Sequence, residues 1–222
     1  MNLCFDFDGP IIDVTDRYYR AYLESLKGIE QTKLQILSKE DFWKLKQKRV
    51  TDFEIGIMSS LSISEAGESA EVRKELSFKT EYLALDKLFE DVPKAFDYLK
   101  SKGILFFIVT LRRKKQLQYA ISQFKLNKYI SNEYFFSLPD DRKISNDIKE
   151  KYVLFVDAIN KTGLDQKDTW LIGDSETDIH AGRLARYRKI IAISRGIKSH
   201  EQLEILKPDL IINNLSELTS HL

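Results

Sequence analysis

Cysteine occurs once in this chain of 222 residues, at Cys4, which excludes a disulfide framework. A lone thiol inside an apolar run reads as a packed side chain, not a reactive one. No apolar stretch approaches the ~20 residues that a membrane-spanning helix needs, so no membrane partner is expected. Charge of one sign is also lacking. The formal net charge is +1, which gives no general attraction to nucleic acid or to an anionic surface. His180, His200 and His221 show no metal-ligand spacing and read as ordinary surface or packing residues. Internal repeats and low-complexity tracts are absent. The first candidate motif begins at residue 6, which leaves no room for a cleaved presequence, so a cytoplasmic protein is expected.

Proline and glycine are unevenly spread, and the unevenness divides the chain. Residues 16–85 contain no proline and three glycines. Tyr18, Tyr22 and Leu26 recur there at helical spacing, and Leu76, Leu83 and Leu85 lie in another helix-like stretch. No strand pattern interrupts them. An all-helical insert over 16–85 is therefore expected, flanked by one domain made of 1–15 and 86–222.

The flanking domain alternates apolar runs with helical patterns. Strands are expected at Leu3–Phe5, Ile104–Val109, Glu133–Phe136, Trp170–Ile172, Ile190–Ile193 and Leu210–Ile212. Helices are expected at Val92–Lys102, Lys114–Phe124, Tyr152–Thr162, Asp178–Ala185 and Ser216–His221, with a polar loop at Ser137–Ile148. This alternation predicts an α/β fold, a parallel sheet covered by helices on both faces.

The chemistry gathers where strands end. Asp6 and Asp8 close the first strand, two residues apart, so they point to one side before Gly9 turns the chain. Thr110 follows Phe106–Val109. Asp174, Ser175 and Asp178 follow Trp170–Gly173. Taken singly, an Asp-x-Asp-Gly turn, a hydroxyl after a strand and a Ser or Thr helix cap are commonplace. Together they fall at the carboxyl ends of strands in one sheet, where open α/β folds bind ligands. Crowded carboxylates need a cation or a shared proton. A calcium loop is excluded because Pro10, Ile11 and Ile12 stand where further oxygen ligands would be required. A lysine near the start of the helix before the Asp174 strand would supply positive charge, and Lys149 is the candidate.

These residues resemble the haloacid dehalogenase superfamily, and within it the phosphoglycolate-phosphatase-like branch with a helical cap. Asp6-Phe7-Asp8-Gly9-Pro10-Ile11-Ile12-Asp13 is similar to its first motif, Ile108-Val109-Thr110 to its second, and Gly173-Asp174-Ser175-Glu176-Thr177-Asp178 to its fourth. Phe155-Val156-Asp157-Ala158 and Thr162-Gly163-Leu164 are similar to the intervening helix, and ungapped counting places the third-motif lysine at Lys149. Three positions depart from the family pattern. Pro10 follows the first-motif glycine. Leu111 stands where asparagine is common. Glu150 replaces a proline, which leaves Lys151 and Lys143 as alternatives to Lys149.

The resemblance implies a Rossmann-like parallel sheet with an inserted helical cap, and a Mg²⁺-dependent phosphatase acting on a small phosphorylated substrate. Asp6 would be the nucleophile that forms an aspartyl-phosphate, and Asp8 the acid and base. Thr110 and Lys149 would hold the phosphoryl group. Metal would lie on Asp6, the Asp8 carbonyl and Asp174, and Asp178 would support the lysine or a metal-bound water. A monomer or small homo-oligomer is expected. A phosphomutase and a phosphonate hydrolase share the motifs; the second needs a Schiff-base lysine, for which Lys44, Lys46 and Lys48 are available. A non-catalytic phospholigand-binding module would not need the nucleophile, and a dehalogenase would not need Asp8. Phe42–Val50 carries Lys44, Lys46, Lys48 and Arg49 with no acid. It reads first as a solvated helix face; its functional alternative is a grip on an anionic leaving group. Tyr18, Tyr19 and Tyr22 read as helix packing. Arg112-Arg113-Lys114-Lys115 reads as surface charge, although Arg112 is near enough to Thr110 to reach the site.

Overall fold

The computed structural model describes residues 1–29, 34–143 and 145–222. The chain divides into two compact units, Met1–Asp13 with Leu88–Leu222, and Val14–Lys87.

The first unit is built around β1 (Asn2–Phe5). β2 (Ile12–Asp13) and β3 (Lys87–Leu88) are two-residue strands where the chain leaves and re-enters this unit. Then follow α6 (Val92–Ser101), β4 (Leu105–Arg113), α7 (Lys114–Gln123), β5 (Phe135–Leu138), α8 (Asp147–Thr162) and β6 (Thr169–Gly173). The unit closes with α9 (Glu176–Leu184), β7 (Lys189–Ile193), α10 (His200–Ile205), β8 (Leu210–Ile212) and α11 (Leu215–Thr219). Six strands form one sheet in the order β5-β4-β1-β6-β7-β8. All of its pairings are parallel. Strand order reverses at β1: β4 and β5 add on one side, then β6 to β8 on the other. That reversal opens a crevice at the carboxyl end of β1.

Alternation along the strands loads both faces. Cys4, Phe107, Val109 and Leu171 share a core with Phe155 and Ala158 of α8 and Ala181 of α9. The next residues in register point the other way: Phe5 and Phe106 meet the Phe96 ring of α6 at centroid distances of 5.6 and 4.7 Å, and each other at 6.0 Å. Each such aromatic contributes roughly 1.5–3 kcal/mol through burial. A sheet buried on both faces explains the unbroken apolar runs.

Two elements differ from expectation in ways that matter for the site. β4 does not stop at Val109. It runs through Thr110 to Arg113, with a register shift against β5 between Val109 and Arg113. α8 begins at Asp147, five residues before the expected Tyr152, because the Asn146 side chain accepts a hydrogen bond from Lys149 N at 2.9 Å and caps it.

The second unit contains α1 (Thr15–Ser25), α2 (Lys39–Gln47), α3 (Asp52–Met58), α4 (Ile63–Leu76) and α5 (Thr80–Leu83). Reciprocal capping boxes, Thr51 with Glu54 and Ser62 with Glu65, start α3 and α4. Tyr22 stacks on Phe42 at 4.9 Å, and its hydroxyl pairs with Ser59 Oγ at 2.9 Å. Tyr22 is thus a core residue of this helical unit. Lys44 pairs with Glu40 at the surface, and Lys46 turns inward to Asp52 at 2.8 Å. Lys48 and Arg49 are exposed.

Candidate active site

Asp6 sits one residue past β1, and its backbone N–H continues the sheet by donating to Ile172 O at 2.8 Å. The Asp6 side chain is therefore fixed at the carboxyl end of the central strand. Gly9 turns the chain with φ of 95°, and a Cβ there would overlap the Asp174 carboxylate. Only glycine satisfies both demands. Gly196, in the loop after β7, faces the same carboxylate as closely, and the adjacent Ile197 N–H donates to Asp174 Oδ2 at 2.5 Å.

A buried lysine faces Asp6. Lys151 Nζ donates to Asp6 Oδ1 at 2.5 Å and lies 3.1 Å from Asp178 Oδ1. This corrects the expectation for Lys149. Once Asn146 starts the helix, Lys151 shares a face with the buried Leu154, Phe155 and Ala158, while Lys149 is rotated outward and exposed. Lys143 is exposed in the preceding loop. Ungapped counting slipped by two residues because no proline marks the register. Glu150, which stands in that place, is buried and takes a fork-like ion pair from Arg142, at 3.1 and 3.0 Å.

Asp178 holds this lysine from the opposite side. Its Oδ2 accepts from Ser175 Oγ at 2.6 Å, Ser175 N at 3.2 Å and Asp174 N at 3.3 Å. The capping box that starts α9 thus fixes Asp174 and Lys151 together.

Asp8 is held apart from these groups. Arg112 Nε donates to Asp8 Oδ1 at 2.8 Å and Arg112 Nη2 lies 2.7 Å from the same oxygen. The guanidinium rests 4.9 Å from the Phe7 ring centroid, and the backbone N–H of Arg112 donates to Thr110 Oγ1 at 3.1 Å. Leu111, where a polar residue is usual, packs instead into the core beside Phe107 and Val109. Arg113 serves structure, donating to the Asp140 and Arg142 carbonyls at 2.5 and 2.9 Å. Arg195, not singled out in the sequence, bonds the Pro10 carbonyl and pairs with Asp91 at 2.6 Å, bracing the turn after Asp8.

Charge is not balanced within this cluster. Asp6, Asp8, Asp174 and Asp178 face two cations, Lys151 and Arg112. Burial first, then the Asp178 charge, raises the Asp6 carboxyl to about 7 against the pull of Lys151. Burial and the same neighbour push Asp174 well above the usual carboxylate range. Burial would lower Lys151, but Asp178 and Asp6 outweigh it and hold the ammonium above its usual value. Oxygens of Asp6, Asp174 and Asp178 lie within 4.8 Å of one another. Asp178 is engaged through both oxygens, at Oδ1 by the Lys151 ammonium and at Oδ2 by the bonds that start α9. An all-oxygen donor set with surplus negative charge fits a hard divalent cation. No histidine joins such a cluster among the described residues. No helix of the described residues is long and apolar enough to cross a membrane.

The chain resembles known proteins in sequence and in fold. The chain is 22% identical over 214 residues to pyrophosphatase PpaX of Bacillus mycoides, covering 96% of this chain and 93% of that one. A haloacid dehalogenase-like family protein of Streptococcus pneumoniae superposes with a TM-score of 0.74 at 17% identity, over 99% of this chain and 97% of the other. A predicted phosphoglycolate phosphatase of Haemophilus somnus superposes with a TM-score of 0.71 at 19% identity, over 99% and 96%. The family model for haloacid dehalogenase-like hydrolases matches residues 1–186, and the chain belongs to that family.

Proposed function

We propose that this hydrolase is a phosphatase that cleaves small phosphomonoesters through a phosphorylated Asp6. The observation that carries the reading is the Asp6 carboxylate at the end of the central strand with Lys151 Nζ 2.5 Å away. A buried carboxylate with one oxygen held by lysine keeps the other for attack on phosphorus. As the Asp6–phosphorus bond forms, the bond to the leaving oxygen breaks, and Asp8 gives that oxygen its proton. Asp8 then takes a proton from the water that attacks the phosphorylated Asp6, and inorganic phosphate leaves with Asp6 restored. Thr110 Oγ1 accepts from Arg112 N, which leaves its own proton to donate to a phosphoryl oxygen. Lys151 offsets the charge gathered on Asp6 and the phosphoryl group.

A divalent cation, Mg²⁺ by family resemblance, would be held by Asp6, Asp174 and the Asp8 carbonyl, and when bound would neutralise phosphoryl charge and orient the ester. Val14–Lys87 is assigned the role of the cap that selects the leaving group.

A screen of phosphorylated metabolites, with inorganic pyrophosphate included, tests the reading. Turnover with Mg²⁺ that stops on exhaustive chelation and in Asp6→Asn supports it. An inert wild type, or full activity after chelation, refutes it.

A further inference from the structure

We propose that Arg195 is a positioning residue that closes the slot holding the Asp174 carboxylate, and so sets the preference of the site for a small divalent cation. The role rests on the phosphatase reading, because it takes Asp174 and the turn after Asp8 as two sides of the cation site named there.

The slot has two walls of bare backbone. Gly9 forms one and Gly196 the other, and a Cβ on either would overlap Asp174 Oδ2. The Ile197 N–H donates to that same oxygen at 2.5 Å, so the second wall also grips the carboxylate it borders. One wall follows β1 and the other follows β7. Arg195 ties them together. Its Nη2 donates to the Pro10 carbonyl, 185 residues away in sequence, and so links the residue before one glycine to the residue after the other.

The guanidinium that makes this tie is itself anchored. Nη1 pairs with Asp91 Oδ1 at 2.6 Å, and the other Asp91 oxygen accepts from the Leu215 N–H at the start of α11, also at 2.6 Å. The Phe89 ring centroid lies 4.0 Å from Arg195 Cζ. The Arg195 side chain is 13% exposed, so water screens this pair far less than a surface pair. A planar head with separate nitrogens can serve a carboxylate and a carbonyl at once, which the single head of lysine cannot. Pairing with Asp91 alone would not require the second arm.

The slot width governs how far Asp174 can swing from Asp6 and from the turn after Asp8. Mg²⁺ demands oxygens at about 2.0–2.1 Å in a nearly octahedral set, whereas Ca²⁺ accepts about 2.3–2.6 Å in looser sets. Walls tied by a bond favour the smaller ion, and untied walls tolerate the larger one.

The test reads cation binding without turnover. Melting temperature is measured against MgCl2 and against CaCl2 in substrate-free protein, which gives a dissociation constant for each ion. Arg195→Met should weaken Mg²⁺ binding by about tenfold or more, the scale expected when the support of a ligand is lost, and should weaken Ca²⁺ binding by less. With an ester as substrate, the deficit should lie in the MgCl2 concentration for half-maximal rate, and kcat at saturating MgCl2 should return close to the wild-type value. If Arg195→Met fails to fold, Arg195→Lys carries the same comparison, because it keeps the charge beside Asp91 and loses the second arm. A folded variant with unchanged Mg²⁺ binding would overturn the proposal, even if it melts at a lower temperature in chelator. Equal weakening of both ions, or a loss of kcat that MgCl2 does not recover, would overturn it as well. A wild type whose melting temperature ignores MgCl2 would refute the cation site and this role with it. A wild type that responds, with a variant that responds equally, refutes only the role of Arg195.

Discussion

Lys151 Nζ stands 2.5 Å from Asp6 Oδ1, although 145 residues separate the two in sequence. Lys151→Met should therefore reduce turnover by about 10²–10³-fold, the scale of losing one preorganised charge at a transition state. Lys149→Ala should stay within a few-fold of wild type, since that side chain is exposed. Steady-state rates on one ester settle the matter, and the reverse ranking would restore the register counted from sequence.

Glycine at position 9 meets two constraints at once, a φ of 95° and contact with the Asp174 carboxylate. Gly9→Ala should leave the sheet folded but displace Asp174. Activity should fall by at least about tenfold and the Mg²⁺ concentration for half-maximal rate should rise, as misplaced ligands predict. A variant with wild-type metal dependence would show that the turn is more forgiving than its geometry implies.

The Asp6 carboxyl, raised to about 7 by burial and by Asp178, links stability to pH. Folded protein holds this proton more tightly than the unfolded chain, whose Asp titrates near 3.8. Stability from this source is complete below the unfolded value and is lost as pH rises through about 7. Chelated protein should therefore melt at a lower temperature at pH 8 than at pH 5, and Asp6→Asn should flatten the difference. An equal or opposite slope in the wild type would contradict the assignment.

Much of this site was legible because its residues follow apolar strands. Asp6, Asp8, Thr110, Asp174 and Asp178 were each placed by the point where a buried run stops. The lysine was not, because a helix that starts inside a polar loop has no apolar residue to mark its first turn; Asn146 as the cap sets the register, and nothing in the sequence ranks it above Ser145 or Asp147. Pairings such as Arg112 with Asp8, Arg195 with Asp91 and Arg142 with Glu150 were hidden for another reason. They join elements far apart in the chain or across an irregular loop, and a run such as Arg112–Lys115 looks the same whether its members face water or the site. The fold itself was legible in its alternation, but not the extension of β4 through Arg113, which a cationic end disguises as a loop.

In the helical unit, Phe42 is fully buried and stacks on Tyr22. Phe42→Ala should cost about 3–5 kcal/mol by chemical denaturation. Tyr22→Phe should cost about 1–2 kcal/mol, because Leu37 N–H and Ser59 Oγ lose their partner. A negligible loss for both would mean that this cluster does not hold the unit together.

Cys4 offers a chemical probe of the sheet. It is fully buried, and burial pushes its thiol well above the usual range. Native protein should resist alkylation at pH 8, and labelling should track global unfolding in denaturant. Rapid labelling of the native state would place β1 nearer to solvent than the structure does.

The nucleophilic role of Asp6 is tested most directly by trapping the covalent state. Acid-quenched single turnovers, reduced with borohydride and mapped by mass spectrometry, should convert residue 6 to homoserine, as reduction of an aspartyl-phosphate requires. Asp6→Asn should give no such product and no phosphate release. A full burst of phosphate with residue 6 unmodified, or the modification appearing at another residue, would contradict the account.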